Sequence, residues 1–142
     1  MKIVLLFILA ILFINVAVAQ PKIFKAMDKY EVVLSFNSMC CGAPSPDFLR
    51  SFLNTYTTKN KTTINVAQMS SCGREGEYKI LFSLEYLNEV QKKKFIAAIK
   101  KLIPQQNTKN KTAKPSIGSI EIDYDIAPGS IENCRGKLAR WK

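Results

Sequence analysis

Two adjacent cysteines, Cys40 and Cys41, stand in the segment SMCCGAPSPDFL (residues 38–49), between an apolar run and the start of a predicted helix. Thiols can form structural disulfides, bind soft metal ions as thiolates, or take part in thiol–disulfide exchange. Cys72 and Cys134 complete a set of four cysteines, and the chain contains no histidine. The absence of histidine excludes Ser-His-Asp and Cys-His nucleophile pairs and histidine metal ligands. The sulfur atoms are therefore the first candidates for chemistry.

The N-terminal residues predict export. Lys2 precedes an apolar run over residues 3–14, and a small-x-small motif ends at Ala19. This order is typical of a secretory signal peptide, and the apolar run is shorter than the ~20 residues that a bilayer span needs. We expect cleavage before Gln20, a secreted or periplasmic protein, and no membrane span after cleavage.

The length and charge indicate one basic domain. The chain has 142 residues and a formal net charge of +10, and loss of the 19 leader residues, which include one lysine, leaves 123 residues and a charge of +9. A chain of this length can bury a core of its own. Its charge favours anionic polymers or surfaces as partners. An even number of cysteines in an exported domain indicates disulfides.

Alternating apolar residues predict four strands. Turn-rich or polar segments separate these strands from two stretches with helical apolar spacing. The first helix is expected to start at Ser45 as its cap, with Pro46 in its first turn. The predicted strands cover residues 30–36, 62–69, 78–84 and a stretch that begins at residue 120.

The second predicted helix has a clear start and an expected stop. Asn88 can cap it, and Gln91, three residues later, can complete a capping box. Pro104 is expected to end it, because proline lacks the backbone N–H and its ring clashes with the preceding turn. The pentapeptide TKNKT occurs at residues 58–62 and again at residues 108–112, and both copies are expected in polar loops that follow a helix.

The order β-α-β-β-α-β predicts an α+β fold, a ferredoxin-like sandwich. Its four-stranded antiparallel sheet has the strand order 4-1-3-2, and both helices lie on one face. The repeated pentapeptide is consistent with two β-α-β halves. The expected organisation is a signal peptide over residues 1–19, a lead-in over residues 20–29, the ferredoxin-like domain over residues 30–126, and a basic C-terminal tail over residues 127–142 that Cys134 ties back.

This topology gathers Cys40, Cys41 and Cys72 at one end of the sheet, and the tail is long enough to return Cys134 to that end. A bridge between the adjacent pair is not expected, because their Cα atoms lie ~3.8 Å apart, below the usual disulfide range. Two pairings remain open. One joins Cys40 to Cys72 and Cys41 to Cys134, and the other joins Cys40 to Cys134 and Cys41 to Cys72.

A metal site is the alternative for these sulfur atoms. Met39, Cys40, Cys41 and Cys72 together offer soft ligands for an ion such as Cu(I). In topology and loop position the chain resembles heavy-metal-associated domains, which place a Met-x-Cys-x-x-Cys loop between their first strand and first helix. Here the loop reads Met-Cys-Cys-Gly, without the two residues that separate the thiols in that family. A thiol-redox role is the third possibility.

Basic residues offer a further set of candidates. Arg74, in the turn CGREGE, could bind an anion. Lys59, Lys61, Lys109 and Lys111 lie in the two TKNKT repeats, which we expect to share the sheet end opposite the cysteines, and five more lysines line the polar face of the second helix. No aromatic residues alternate with these lysines, so a single-stranded nucleic-acid site is not indicated.

These patterns favour a secreted, disulfide-stabilised binding or interaction module that is not an enzyme. No cofactor is expected, and the sequence names no specific ligand or partner. The alternative is a soft-metal or thiol-redox protein that uses the clustered cysteines, and an enzyme with a carboxylate or arginine site is the third hypothesis.

Overall fold

The computed structural model describes residues 27–141, so the leader and most of the predicted lead-in lie outside the described residues. The architecture is α+β, with two helices and a five-stranded antiparallel sheet. Within residues 27–141, no helix has the length and apolar character to cross a membrane. The elements are β1 (Tyr30–Phe36), α1 (Asp47–Asn60), β2 (Asn65–Met69), β3 (Tyr78–Ser83), α2 (Glu89–Ala113), β4 (Ile120–Ile126), a 3-10 turn (Pro128–Ser130) and β5 (Ala139–Arg140).

The strand order is β4-β1-β3-β2-β5. The first four strands follow the predicted order, whereas the prediction of a four-stranded sheet is wrong because β5 pairs with the outer side of β2. Phe36, the last residue of β1, pairs with Tyr78 of β3 on one side and Ile120 of β4 on the other. We call the end of the sheet at which these three residues lie the thiol end, because the loop that carries Cys40 and Cys41 leaves β1 there.

The main core lies between the sheet and the two helices. Alternate strand residues point to the same side of a sheet, so Val32, Leu34 and Phe36 share the face that packs on the helices. The helices contribute every third or fourth residue to this core, and the aromatic rings of Phe82 and Phe95 meet with 5.6 Å between their centroids. The buried helix residues are Leu49, Leu53, Phe95, Ile99 and Ile103.

Helix α1 begins one residue later than predicted and ends later. Pro46 occupies the N-cap position without a side-chain cap, and Ser45 Oγ accepts a hydrogen bond from the Asp47 amide at 3.3 Å. The helix continues into the first TKNKT repeat. It stops at Lys61, whose backbone adopts a left-handed conformation with φ of 47°.

Helix α2 has the predicted capping box. Asn88 Oδ1 accepts from the Gln91 amide, and Gln91 Oε1 accepts from the Asn88 amide. The prediction that Pro104 ends this helix is wrong, since it continues to Ala113. Asn107, one turn beyond the proline, both donates to and accepts from the backbone of Ile120 at 2.9 Å. This pair of bonds anchors the added turns to β4 and offsets the backbone bond that proline removes.

The expected placement of the lysine repeats at one shared end is wrong. Helix α1 follows β1 and α2 follows β3, and these strands are antiparallel, so the C-termini of the helices emerge at opposite ends of the sheet. Lys59 and Lys61 therefore lie at the end remote from the thiols. Lys109 and Lys111 lie within the last turns of α2, at the thiol end.

The C-terminal tail covers the second face of the sheet. Val33 and Leu81 alternate with the helix-facing residues, and they are buried against apolar side chains of the tail, such as Ile131 and Leu138. The tail leaves β4 at one edge and reaches β2 at the other. There the Arg135 and Gly136 amides donate to carbonyl groups of residues 71 and 70, at 3.0 Å each, ahead of β5.

The disulfide joins Cys72 to Cys134, and Cys40 and Cys41 are free thiols. Both pairings left open from the sequence are therefore wrong. The cause is the position of the tail, whose hydrogen bonds to the end of β2 bring Cys134 beside Cys72. The loop after β1 is separated from this edge by β3, so its cysteines have no partner in the tail.

We expect Cys72→Ser with Cys134→Ser to lower the free energy of unfolding by ~2–4 kcal/mol, because the unfolded chain gains freedom when the bridge is lost. Urea unfolding without reductant measures this difference. The matched control is Cys40→Ser with Cys41→Ser, which removes two exposed thiols and no bridge. A larger loss in the control than in the bridge variant would contradict the observed pairing.

Candidate functional site

The loop that carries the free thiols is held from both sides. Its first residue, Asn37, donates a backbone hydrogen bond to the carbonyl of Ser119, ahead of β4, at 2.9 Å. Farther along, the Tyr78 hydroxyl donates to the Pro44 carbonyl at 2.6 Å, and the Tyr78 ring stacks on Phe36 with 4.5 Å between centroids. Burial raises the pKa of Tyr78 far above its usual range, so this hydroxyl stays protonated as a donor.

Ser38 connects the thiol loop to the turn between β2 and β3. Its Oγ donates to Glu75 Oε2 at 2.7 Å and accepts from the Gly42 amide at 3.1 Å. Gly42 has φ of +95°, a conformation that side chains with Cβ rarely adopt. The backbone thus turns tightly around Ser38 and presents Met39, Cys40 and Cys41 to solvent.

The Sγ atoms of Cys40 and Cys41 lie 2.7 Å apart. Two thiolates that share one tetrahedral ion at metal–sulfur distances of ~2.3 Å would lie about 3.8 Å apart, whereas bonded sulfurs lie ~2.05 Å apart. The thiol pair must therefore open by about 1 Å to chelate such an ion, and close by about 0.7 Å to form a disulfide. The pair as it stands is neither a disulfide nor a chelate.

The pKa of the Cys40 thiol is raised above its ordinary value. The largest cause is its hydrogen bond with Cys41, which holds the proton, followed by partial desolvation and by repulsion from negative charge on Cys41. The carbonyl of Ser116, 3.7 Å from Cys40 Sγ, also lies beside the pair. The Cys40 thiol therefore keeps its proton at neutral pH, and formation of its thiolate is disfavoured.

The predicted four-sulfur metal set is not assembled. Cys72 is bonded to Cys134 on the far edge of the sheet, so only Met39, Cys40 and Cys41 remain as neighbouring soft ligands. Across residues 27–141, no cluster of three or more histidine, cysteine, aspartate or glutamate residues is arranged to hold a metal ion. Any soft ion bound here would rest on the two thiols and the exposed Met39.

Arg74 is exposed in the turn between β2 and β3. The same turn holds two carboxylates that serve its own structure. Glu77 Oε2 accepts from the Glu75 amide at 2.7 Å, and a side chain at Gly73 would collide with the Glu77 carboxylate. Anion binding at Arg74 stays a prediction, and these neighbouring negative charges oppose it.

A strongly basic surface lies along α2. This helix contains seven lysines and one acidic residue, Glu89, which pairs with Lys92 at 3.1 Å. Its 25 residues span about 37 Å. From residue 90 to residue 113 the helix has no carboxylate to neutralise the remaining lysines. We define the basic face by the exposed members of this set, which are Lys93, Lys94, Lys100, Lys101, Lys109 and Lys111.

An open groove of about 460 Å³ runs beside the basic face, between α2 and β4. Charges within it are largely paired. Lys29 contacts Asp125 at 2.8 Å, and Lys100 lies over the Tyr124 ring, 5.1 Å from its centroid. Exposed ion pairs of this kind contribute little to stability. Lys93 and Lys100 of the basic face also line this groove.

Comparisons with known proteins assign neither a family nor an activity: no family model, no curated protein and no solved structure matches the chain. The thiol pair and the basic face are therefore the features that point to a function.

We expect Cys41→Ala to increase the rate at which Cys40 reacts with iodoacetamide near pH 8. The substitution removes the hydrogen bond that is the main cause of the raised pKa, so the Cys40 thiolate fraction at a fixed pH rises. The pH dependence of alkylation, followed by peptide mass spectrometry, measures the shift. A midpoint for Cys40 that is unchanged or higher in the variant would contradict this role of the Cys41 hydrogen bond.

Proposed function

We propose that the protein is an exported, disulfide-stabilised domain that binds anionic partners through the basic face of α2 and catalyses no reaction of its own. The observation that carries the proposal is a helix of 25 residues with seven lysines and no carboxylate of its own after Glu89. Positive charges that no carboxylate of the same helix neutralises attract polyanions.

The position of the lysines along α2 separates a binding role from a structural one. Lys109 and Lys111 lie in the last turns, where positive charge stabilises the negative end of the helix dipole. Lysines in the middle of the helix gain nothing from that dipole, which acts only within the terminal turns. The middle lysines, from Lys93 to Lys101, therefore support the binding role most directly.

We infer that β1 to β4 and the two helices form a ferredoxin-like unit, to which the tail and β5 are an addition. The order β4-β1-β3-β2 and the antiparallel pairing of these strands support this description.

We expect Lys94→Gln with Lys101→Gln to weaken binding to heparin about tenfold at low salt, because each exposed lysine adds screened Coulomb attraction. Glutamine has nearly the helix propensity of lysine, so α2 is retained. The control, Lys59→Gln with Lys137→Gln, removes the same charge from exposed sites outside α2. Affinities from salt-dependent calorimetry should differ between these variants, and equal losses would contradict a site on α2.

The thiol pair supports a second candidate function, thiol redox or soft-metal binding. The supporting observation is that two exposed thiols lie 2.7 Å apart while the other two cysteines form a bridge. In the redox case one thiolate attacks an external disulfide, RSSR, and forms a mixed disulfide with loss of RS⁻. The other cysteine then displaces the second RS⁻. Two thiols and RSSR thereby become a Cys40–Cys41 disulfide and two RSH.

Oxidised glutathione distinguishes the two forms of this candidate. For a redox pair we expect the protein to lose two hydrogens in mass without retaining glutathione, whereas Cys40→Ala should keep one glutathione on Cys41. For a metal site we expect protection of both thiols from alkylation by one Cu(I) ion, and weaker protection in Met39→Ala. Persistent glutathione adducts at both cysteines, with no protection by Cu(I), would contradict both forms.

A further inference from the structure

Two large apolar side chains are exposed at the start of α2. Tyr86, in the turn before the helix, is 63% exposed, and Val90, in its first turn, is 61% exposed. A buried neighbour, Leu87, already anchors this turn to the core, so the turn does not need either side chain for packing. Isolated exposed apolar residues are common on protein surfaces, but Val90 lies on the helix that carries the basic face, and Tyr86 lies in the turn before it.

Val90 and two of the lysines, Lys94 and Lys101, project from the same side of α2. Residues four, seven and eleven positions apart share a helix face, which places Lys94, Ala97 and Lys101 in line with Val90. The buried residues Phe95 and Ile99 define the opposite side. The outward side of α2 is thus apolar at its first turn and carries Lys94 and Lys101 over the next three turns.

We propose that this side of α2 docks on an anionic lipid bilayer, with the helix lying along the surface. Tyr86 and Val90 enter the headgroup region at one end, and the lysines of the basic face contact the lipid phosphates along the helix. The proposal rests on the anion-binding function proposed above and names its partner.

The apolar pair is what favours a lipid surface over a soluble polyanion. A polyanion in water offers charge but no apolar phase, so Tyr86 and Val90 would gain nothing from contact with it. In a bilayer the tyrosine ring suits the interface, where its apolar body is buried and its hydroxyl stays hydrated. Each lysine near an anionic leaflet strengthens attachment about fivefold, so the combination suffices for reversible surface binding.

Two carboxylates lie beside the apolar pair and oppose approach to anionic lipid. Glu85 accepts a hydrogen bond from Asn65 Nδ2 at 2.9 Å, and Glu89 is paired with Lys92. Each of these carboxylates is thus bonded to another side chain of the protein. We expect Glu89→Gln to strengthen attachment to anionic vesicles, because it removes the acidic residue of α2 itself.

Vesicle co-sedimentation and heparin affinity, measured on the same preparations, test the proposal. One vesicle set contains phosphatidylcholine alone, and the other contains equal parts of phosphatidylcholine and phosphatidylglycerol. We expect binding to the anionic vesicles only, weakened by salt. Tyr86→Ser with Val90→Ser should lower this binding about tenfold, as expected for loss of partial apolar burial, and leave heparin affinity unchanged.

The matched control is Met39→Ser, which removes another exposed apolar side chain, 69% accessible, from the thiol loop. It should leave vesicle binding intact. Lys94→Gln with Lys101→Gln retains the apolar pair and should weaken both vesicle and heparin binding. Circular dichroism verifies that each variant is folded, and the lysine variant gives an independent test if the double serine variant is not.

The outcomes separate the two proposals. If the Tyr86 and Val90 substitutions leave vesicle binding unchanged while the lysine substitutions weaken heparin binding, the membrane proposal is wrong and the anion-binding proposal stands. Equal binding to neutral and anionic vesicles would also overturn the membrane proposal. If the protein binds neither heparin nor anionic vesicles at low salt, both proposals are wrong.

Discussion

A β-sheet has two faces, and two helices packed on one side leave the other exposed. In this protein the second face carries apolar side chains, among them Val33 and Leu81, which are buried at 1% and 0% exposure. The C-terminal tail provides their cover. It crosses from the β4 edge to the β2 edge and ends as the fifth strand. The return of the tail therefore determines both the second core and the pairing of the cysteines.

The path of the tail also divides the four cysteines into a bridged pair and a free pair. Cys134 reaches the outer edge of β2 and forms a disulfide with Cys72 there. The disulfide therefore holds the tail over the second face of the sheet. Cys40 and Cys41, two strands away, are left free in a loop that their neighbours hold in place. The basic face of α2 lies on the helix side of the sheet. Neither candidate surface is therefore occupied by the tail.

Local patterns predicted the elements that local physics determines. The alternation in β1 and β4 was sufficient to locate both strands, and the Asn88–Gln91 capping box follows from residues three positions apart. Helix α2 passes Pro104 because Asn107 bonds Ile120, thirteen residues away, and no local rule contains that contact. The direction of each helix follows from the direction of the strand before it. The predicted topology was therefore sufficient to place the two lysine repeats at opposite ends of the sheet.

Local sequence patterns could not predict the cysteine pairing, for a different reason. The two-residue strand β5 is too short to give an alternation, and its register against β2 is what brings Cys134 to Cys72. For the candidate sites, the sequence identified the thiols and the lysines of α2. It did not show that Cys40 and Cys41 are free or that Tyr86 is exposed, because both depend on how distant segments pack.

Amide hydrogen exchange of the folded protein tests the return of the tail most directly. The amides of Arg135, Gly136 and Trp141 donate to carbonyl groups of residues 71, 70 and 66, at 3.0, 3.0 and 3.1 Å. If the tail pairs with β2, these three amides exchange as slowly as amides in a stable sheet, and they exchange faster once the Cys72–Cys134 bridge is reduced. Exchange at the rate of an unstructured peptide while the bridge is intact would contradict the account.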